Sequence, residues 1–376
     1  MNLRYCLVIA MVGLTYAGNG VAAAASPTAQ ADDANALRWV DVSEMEVEGK
    51  GWHDTKAFYD RLPAKAEGVV RGPVWSLSRH SAGLSVRFRT DAPSIDVRWE
   101  LISKRLALPH MPATGVSGVD LYVRTDAGWH WLATGQPRKQ VNSVRLASNL
   151  AAKVRDYWLY LPLYNGVSRV EVGVPPESSM EKSSPRDASL QRPIVFWGTS
   201  ITQGGCTSRP GMVHTAILGR RLNHPVINLG FSGNGRMEPE VAQLIAEIDA
   251  AVYVIDCLPN LTGAEVTERV ERVVEILRKA RPTTPILLVE DRTYADAFLV
   301  AARRQRNTES RAALKAAYQR MVAAGVKDLH YLPGDHLLGE DGEDTVDGSH
   351  LTDLGFFRQA AAFERALRPV LAGASR

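Results

Sequence analysis

A serine, an aspartate and a histidine stand at positions in this chain that suit acyl-transfer chemistry. Ser200 lies in Gly198-Thr199-Ser200-Ile201-Thr202-Gln203-Gly204, directly after the apolar run Ile194-Val195-Phe196-Trp197. A short β-branched and aromatic run that ends in Gly-x-Ser reads as a buried strand delivering a serine to a turn at its C-terminal end, where open α/β sheets put their ligands. A serine hydroxyl is a poor nucleophile until a base takes its proton, and the base needs a third group to hold its tautomer. Asp347 and His350 are three residues apart. On a helical turn that spacing puts both side chains on one face, so the carboxylate can accept the imidazole Nδ1 proton and leave Nε2 for the serine. Each signal is common by itself, Gly-x-Ser reading equally as a helix N-cap. Their weight comes from their order along the chain, with Asn228-Leu229-Gly230-Phe231-Ser232-Gly233-Asn234 and Asp256-Cys257-Leu258-Pro259-Asn260 between them.

Together these blocks resemble the SGNH hydrolase (GDSL-type esterase) superfamily. Carried over position by position, the resemblance gives Ser200, Gly233, Asn260 and His350, with Asp347 as the acid. It implies a carboxylic ester hydrolase with Ser200, Asp347 and His350 as catalytic residues. The oxyanion hole would be built from the backbone N–H groups of Ser200 and Gly233 and the side-chain amide of Asn260, with the glycine allowing close backbone approach. Two positions depart from the family pattern: Thr199 replaces the usual Asp, and Leu258-Pro259-Asn260-Leu261 replaces the usual Gly-x-Asn-Asp. Arg209, Asn234, Glu290 and Arg292 are candidate substrate contacts because they follow strands or the nucleophile. An α/β-hydrolase elbow requires Gly-x-Ser-x-Gly, and position 202 is Thr. No His-Glu-x-x-His is present and the acidic stretch 335–347 lacks calcium-loop spacing, so neither metal nor cofactor is expected.

The elements that must position these residues alternate. Strands are expected at 194–197, 226–229, 252–255, 286–289 and 329–332. Helices are expected at 212–222, 238–248, from the capping box Thr262-Gly263-Ala264-Glu265 to about 281, over 295–324, and after His350. Strict alternation demands a doubly wound, parallel five-stranded sheet, flavodoxin-like, with the chemistry at the strands' C-terminal ends.

Upstream, period-two runs such as Leu84/Val86/Phe88, Ile95/Val97/Trp99 and Val170/Val172/Val174 argue for an antiparallel, jelly-roll-like β-sandwich with one wet face per sheet. Gly118-Val119-Asp120-Leu121-Tyr122, with Arg61-Leu62-Pro63 and Val74-Trp75, resembles the GxDLY module that precedes SGNH domains of this kind. Trp129, Trp131, Tyr157, Trp158 and Tyr160 invite a sugar-stacking platform, although their i, i+2 spacing favours rings that point inward.

The chain has 376 residues, enough for two domains, and 44 Lys plus Arg against 41 Asp plus Glu leave a net charge of +3 that implies no nucleic-acid partner. Residues 1–25, with Arg4, a short apolar run and an Ala-rich end, read as a secretory signal. The protein is therefore expected in the periplasm or outside the cell, with no membrane attachment after cleavage. The domains are expected at 37–176 (sandwich) and 190–372 (hydrolase), with a linker at 177–189. Cys206 and Cys257 would remain after cleavage, either paired or simply buried. The substrate is expected to be a small-molecule or polysaccharide ester, with O-acetylated carbohydrate leading. A lipid or thioester acyl hydrolase of the same fold, or a glycan-binding protein with an inactive SGNH domain, remains open. The oligomeric state is not legible.

Overall fold

The computed structural model describes residues 36–374, so the expected signal segment lies outside the described residues. Among the described residues, the first half contains ten strands. They are β1 (Arg38–Asp41), β2 (Glu46–Glu48), β3 (Ser85–Thr90), β4 (Ile95–Leu101), β5 (Val119–Thr125), β6 (Gly128–Gly135), β7 (Val141–Ala147), β8 (Arg155–Tyr160), β9 (Val167–Val174) and β10 (Glu181–Lys182). Two short helices interrupt them, α1 (Gly72–Ser78) and α2 (Ala113–Val116). One sheet runs β1-β9-β4-β7 and the other β10-β3-β8-β5-β6, with β2 also on β3. All their pairings are antiparallel. Alternate residues of the facing strands, among them Val86, Phe88, Val97, Trp99, Leu121, Tyr157, Leu159 and Val172, close one apolar core between the sheets.

The second half supplies β11 (Ile194–Gly198), β12 (Val226–Gly230), β13 (Val252–Asp256), β14 (Ile286–Val289) and β15 (Leu329–Leu332). Its helices are α3 (Ser200–Gln203), α4 (His214–Leu222), α5 (Pro239–Ile245), α6 (Gly263–Ala280), α7 (Ala301–Ala323) and α8 (Asp353–Ala374). The sheet is parallel throughout in the order β12-β11-β13-β14-β15, as the alternation requires. Because both faces are covered, the strands are near-continuous apolar runs. Phe196 and Val254 face α4 and α8, through Leu218 and Phe363. Trp197 and Ile255 face α5, α6 and α7, through Val241, Val270 and Leu314. The capping box at Thr262 forms, Thr262 Oγ1 accepting from Glu265 N–H and Glu265 Oε2 from Thr262 N–H. Helix α7 starts at Ala301 rather than near 295, because Asn307 Oδ1 accepts the Tyr294 N–H at 3.0 Å and holds the preceding residues in turns.

The outer face of the six-stranded sheet, expected to be wet, is covered over β3 and β8 and stays open toward β6. Tyr157 and Leu159 of β8 enter the sandwich core, while Trp158 and Tyr160 enter a second cluster with Tyr122, Ile201, Val213 and Phe356. Strand β8 is therefore buried on both faces. Its two outward rings stack at 5.2 Å and meet the α/β half, so they are not an open sugar platform. Trp131 is half-exposed, but its Nε1 donates to Asp120 at 3.0 Å. Period-two alternation shows which residues share a face; it does not show what covers that face. For the same reason Arg87, which reads as an outward charge, is buried in the seam beside Glu48 and over the Trp158 ring. The segment read as a linker is also strapped down. Glu181–Lys182 pairs with β3, and Arg186 reaches Glu48 and the Asn223 carbonyl.

Two groups of the first half close the seam. Arg61 is fully buried, with no carboxylate partner among the described residues. Its guanidinium donates to the carbonyls of Asn228 (3.0 Å) and Gly230 (2.9 Å) on β12 and to those of Leu77 and His80. Burial pulls its pKa down to about 9. Asp120, from the Gly118–Tyr122 motif, accepts from Arg209 Nη1 (2.6 Å), Gly211 N–H (2.9 Å), Trp131 Nε1 and Thr134 Oγ1. Burial raises its pKa against the pull of Arg209. Removing this carboxylate strands a guanidinium and a buried N–H, so Asp120→Ala is expected to lower unfolding free energy by about 3 kcal/mol in a urea titration.

Candidate active site

The register of the parallel sheet sets Gly198 beside Gly230 and Asp256, so the loops after β11, β12 and β13 leave the sheet side by side. Thr199 caps α3, its Oγ1 accepting from Ile201 N–H, and Gly204 ends the helix at φ 107°. This places Ser200 at the first position of a four-residue helix, largely buried, with its hydroxyl at the sheet's C-terminal edge.

Ser200 Oγ lies 2.8 Å from His350 Nε2, and His350 Nδ1 lies 2.7 Å from Asp347 Oδ2. The carboxylate beside Nδ1 assigns the proton to that nitrogen, leaving Nε2 to accept from the serine hydroxyl. The Asp347–His350 pair sits in a bend before α8 and not on a helical turn. The bend is made by Asp347 itself, whose Oδ1 accepts the N–H groups of Ser349 (3.0 Å) and His350 (2.8 Å). Burial works to raise the Asp347 pKa, but these bonds and the His350 ring outweigh it and hold the carboxyl below its ordinary value. Arg303 Nη1 on the Asp347 carbonyl and Ala295 N–H on the Gly348 carbonyl steady the loop from outside. This chain of atoms can move a proton from Ser200 to His350 and stabilise the imidazolium that results.

Opposite His350 are the loops of Gly233 and Asn260. Gly233 has φ 68° and nothing lies where its Cβ would be, so its glycine is required by conformation and not by close approach. The close approach is at Gly235, where a Cβ would overlap the Gly198 carbonyl. Asn260 ends a 3₁₀ turn over Leu258–Asn260, which Arg306 holds through the Pro259 carbonyl at 2.8 Å. The hydrogen-bond network assigns its amide with Oδ1 accepting from Asn234 N–H (3.1 Å) and Gly235 N–H (3.3 Å), which sets the NH₂ on the opposite branch. The proline-containing turn thus keeps Asn260 against the Gly233–Gly235 loop.

The four candidate substrate contacts are engaged elsewhere. Arg292 is buried, and its Nη2 donates to both carboxylate oxygens of Asp256, at 2.9 and 3.2 Å, while its Nε donates to Gln359. Asp256 in turn accepts from Thr202 Oγ1 at 3.1 Å, so this ion pair supports the nucleophile's helix from beneath. Glu290 is buried and accepts from Gly334 N–H and the Tyr331 hydroxyl. Arg209 is taken by Asp120 and by the Tyr122 hydroxyl at 2.7 Å. Asn234 bonds Arg71 of the first half through its side-chain and main-chain oxygens. A residue following a strand can point down as readily as up, and its number does not say which.

Several residues that support the site carried no chemical signal in the sequence. Tyr164 donates its hydroxyl to the Ser200 carbonyl at 3.1 Å. Gln203 accepts from Ser232 N–H and donates to the Leu163 carbonyl and His80 Nδ1. Burial and neighbouring Arg61 bring the His80 pKa down to about 4, so it accepts as a neutral ring. Cys206 and Cys257 are buried free thiols. Among the described residues no group of three or more His, Cys, Asp or Glu is arranged to hold a metal ion.

The sequence profile of the GDSL-like lipase/acylhydrolase family matches residues 191–368, and that of the GxDLY N-terminal domain of SGNH-hydrolase-type esterases matches residues 37–180. A crystal structure assigned as a GDSL-like lipase from Bacteroides ovatus is similar at 31% identity and a TM-score of 0.85, over 90% of this chain and 98% of that one. The salicylyl-acyltransferase SsfX3 of a tetracycline biosynthetic pathway shares the fold at 18% identity and a TM-score of 0.73, over 91% and 99%. The acetyl xylan esterase Est2A of the rumen bacterium Butyrivibrio proteoclasticus does so at 11% and 0.56, over 89% and 100%. No curated protein sequence matches the chain. A five-stranded parallel sheet with a Ser-His-Asp chain at its C-terminal edge, behind a β-sandwich, defines an SGNH-type hydrolase. The chain belongs to the GDSL-like lipase/acylhydrolase family, with the GxDLY domain in front.

Two expectations follow. If the Asn260 NH₂ donates to an oxyanion, Asn260→Ala should lower kcat by roughly a hundred- to thousandfold with little change in KM; a lowered denaturant midpoint with normal kcat would make Asn260 purely structural. The His80 pKa is about 4 in the fold against an ordinary 6.5. The unfolded chain therefore binds the extra proton between these values, and stability present above pH 6.5 is lost as pH falls. This contribution, about 3 kcal/mol across the window, should be absent in urea titrations of His80→Asn from pH 7 to 4.

Proposed function

We propose that this protein is an exported, cofactor-independent serine esterase that removes O-acetyl groups from carbohydrate. The observation that carries the esterase reading is the unbroken Ser200–His350–Asp347 chain at 2.8 and 2.7 Å. Ser200 Oγ attacks the ester carbonyl carbon as His350 Nε2 takes its proton, and the developing oxyanion is met by the N–H groups of Ser200 and Gly233 and the Asn260 NH₂. Collapse expels the alcohol with the proton held by His350 and leaves an acyl-Ser200. Water activated by the same imidazole then releases the acid. A protein that only bound glycan would have no use for a preformed proton chain.

Carbohydrate as the alcohol is supported by the fold. The acetyl xylan esterase from Butyrivibrio and a family two carbohydrate esterase from Cellvibrio japonicus share the two-domain arrangement. Export is supported by the composition of residues 1–25. One observation favours a second reading, a hydrolase of longer acyl chains: Phe298 and Leu299 are 74% and 77% exposed, in the turn that abuts the Asp347 loop through Ala295.

The test is hydrolysis of 4-nitrophenyl esters from acetyl to longer acyl chains beside acetylated polysaccharides. Release of acetate from polymer with a steep fall beyond short acyl chains is expected, and a preference for eight or more carbons would overturn the carbohydrate reading. Ser200→Ala should lose on the order of 10⁶-fold in kcat with an unchanged far-UV spectrum. Retention of more than about a hundredth of the rate would remove Ser200 as nucleophile.

A further inference from the structure

The first domain contributes a side chain to the reacting end of the site. The His110 ring lies 6.2 Å from the His350 ring, centroid to centroid, at 34° between planes. It is exposed, and among the described residues nothing hydrogen-bonds it. Its position is nonetheless fixed. Leu108 and Met111 exchange both backbone hydrogen bonds at 3.0 Å, closing a tight turn with His110 at its tip and Pro109 beside it. Met111 is buried in the cluster that holds Ile201 and Leu351, the residues next to Ser200 and His350. The following α2 is fastened to the α/β half as well: Thr114 Oγ1 donates to the Ser208 carbonyl at 2.6 Å, and Gly115 packs so closely on Thr207 that a Cβ would overlap its carbonyl.

The geometry points to His110 as a specificity residue that hydrogen-bonds the alcohol half of the ester substrate. This rests on the esterase reading above. Of the substrate's two oxygens in the tetrahedral intermediate, one faces the oxyanion donors and the other, which leaves, must lie within hydrogen-bond reach of His350 Nε2 to receive its proton. The leaving alcohol then lies on the side of the His350 ring that His110 adjoins. An imidazole offers one donor and one acceptor when neutral, which suits a hydroxyl next to the ester oxygen of a polyol or sugar and has nothing to bond in a simple alkyl alcohol.

The experiment holds the acyl group constant and varies the alcohol. Ethyl acetate and a mono-O-acetylated methyl glucoside are compared on the full chain for wild type, His110→Ala, His110→Phe and His110→Gln. Because the alcohol departs in acylation, the effect is read in kcat/KM. The ratio of kcat/KM for the sugar acetate over ethyl acetate should fall about tenfold in the Ala and Phe variants, the scale of one lost hydrogen bond, and recover in part in Gln, which keeps a donor and an acceptor. Equal losses on both esters would mean that His110 merely supports His350, and an unchanged ratio would mean that it touches no alcohol; either overturns the proposal with the esterase reading intact. A wild type inactive on both esters overturns that reading and the proposal with it.

Discussion

A carboxylate shut away from water must find donors for both oxygens, and Asp120 finds them on two domains at once. Trp131 and Thr134 come from its own sheet, while Arg209 and the Gly211 N–H come from the loop that follows the Ser200 helix. The charge is costly to bury, and the attachment to Arg209 offsets that cost only if the two halves meet at one angle and one distance. Everything along the seam agrees with that placement. Trp158 and Tyr160 fill the space beneath it, and Arg61 reaches across to the carbonyls of Asn228 and Gly230. The Gly118–Tyr122 motif thus marks a joint between the two halves.

Below the site a second charged pair has a different task. Asp256 and Arg292 are both buried and bonded to each other, with Thr202 and Gln359 at the two ends. Such a pair adds little net stability. Its effect is on orientation, since Thr202 belongs to the helix that carries Ser200 and its hydroxyl is tied to the strand beside it. The nucleophile is held from beneath by this bond and from the first domain by the Tyr164 hydroxyl on its carbonyl.

The hydrolase half was largely legible because its strands and helices each bury a face whose period is local. The five strands, the capping box at Thr262 and the loops that bring Ser200, Gly233, Asn260 and His350 to one edge could be read from runs of a few residues. What could not be read depends on partners far away in the chain. Arg87, Asp120 and Trp158 look outward by alternation, and only the arrival of α3, α4 and the 208–211 loop makes them interior. Arg292 and Glu290 follow a strand end like residues of a pocket, yet they turn inward because Asp256 and Gly334 supply partners there. Gly233 and Gly235 look alike in sequence, and only the backbone separates a demand of conformation from a demand of space.

Burial of β8 on both faces also bears on the order of synthesis. Along the chain the sandwich strands all precede the residues that cover their outer face. Until α4 is in place, Trp158, Tyr160 and Tyr122 form a contiguous apolar surface open to water, of the kind that invites chaperones or aggregation. A first domain parted from its second half would expose this surface, so each half depends on the other to keep its apolar residues from water.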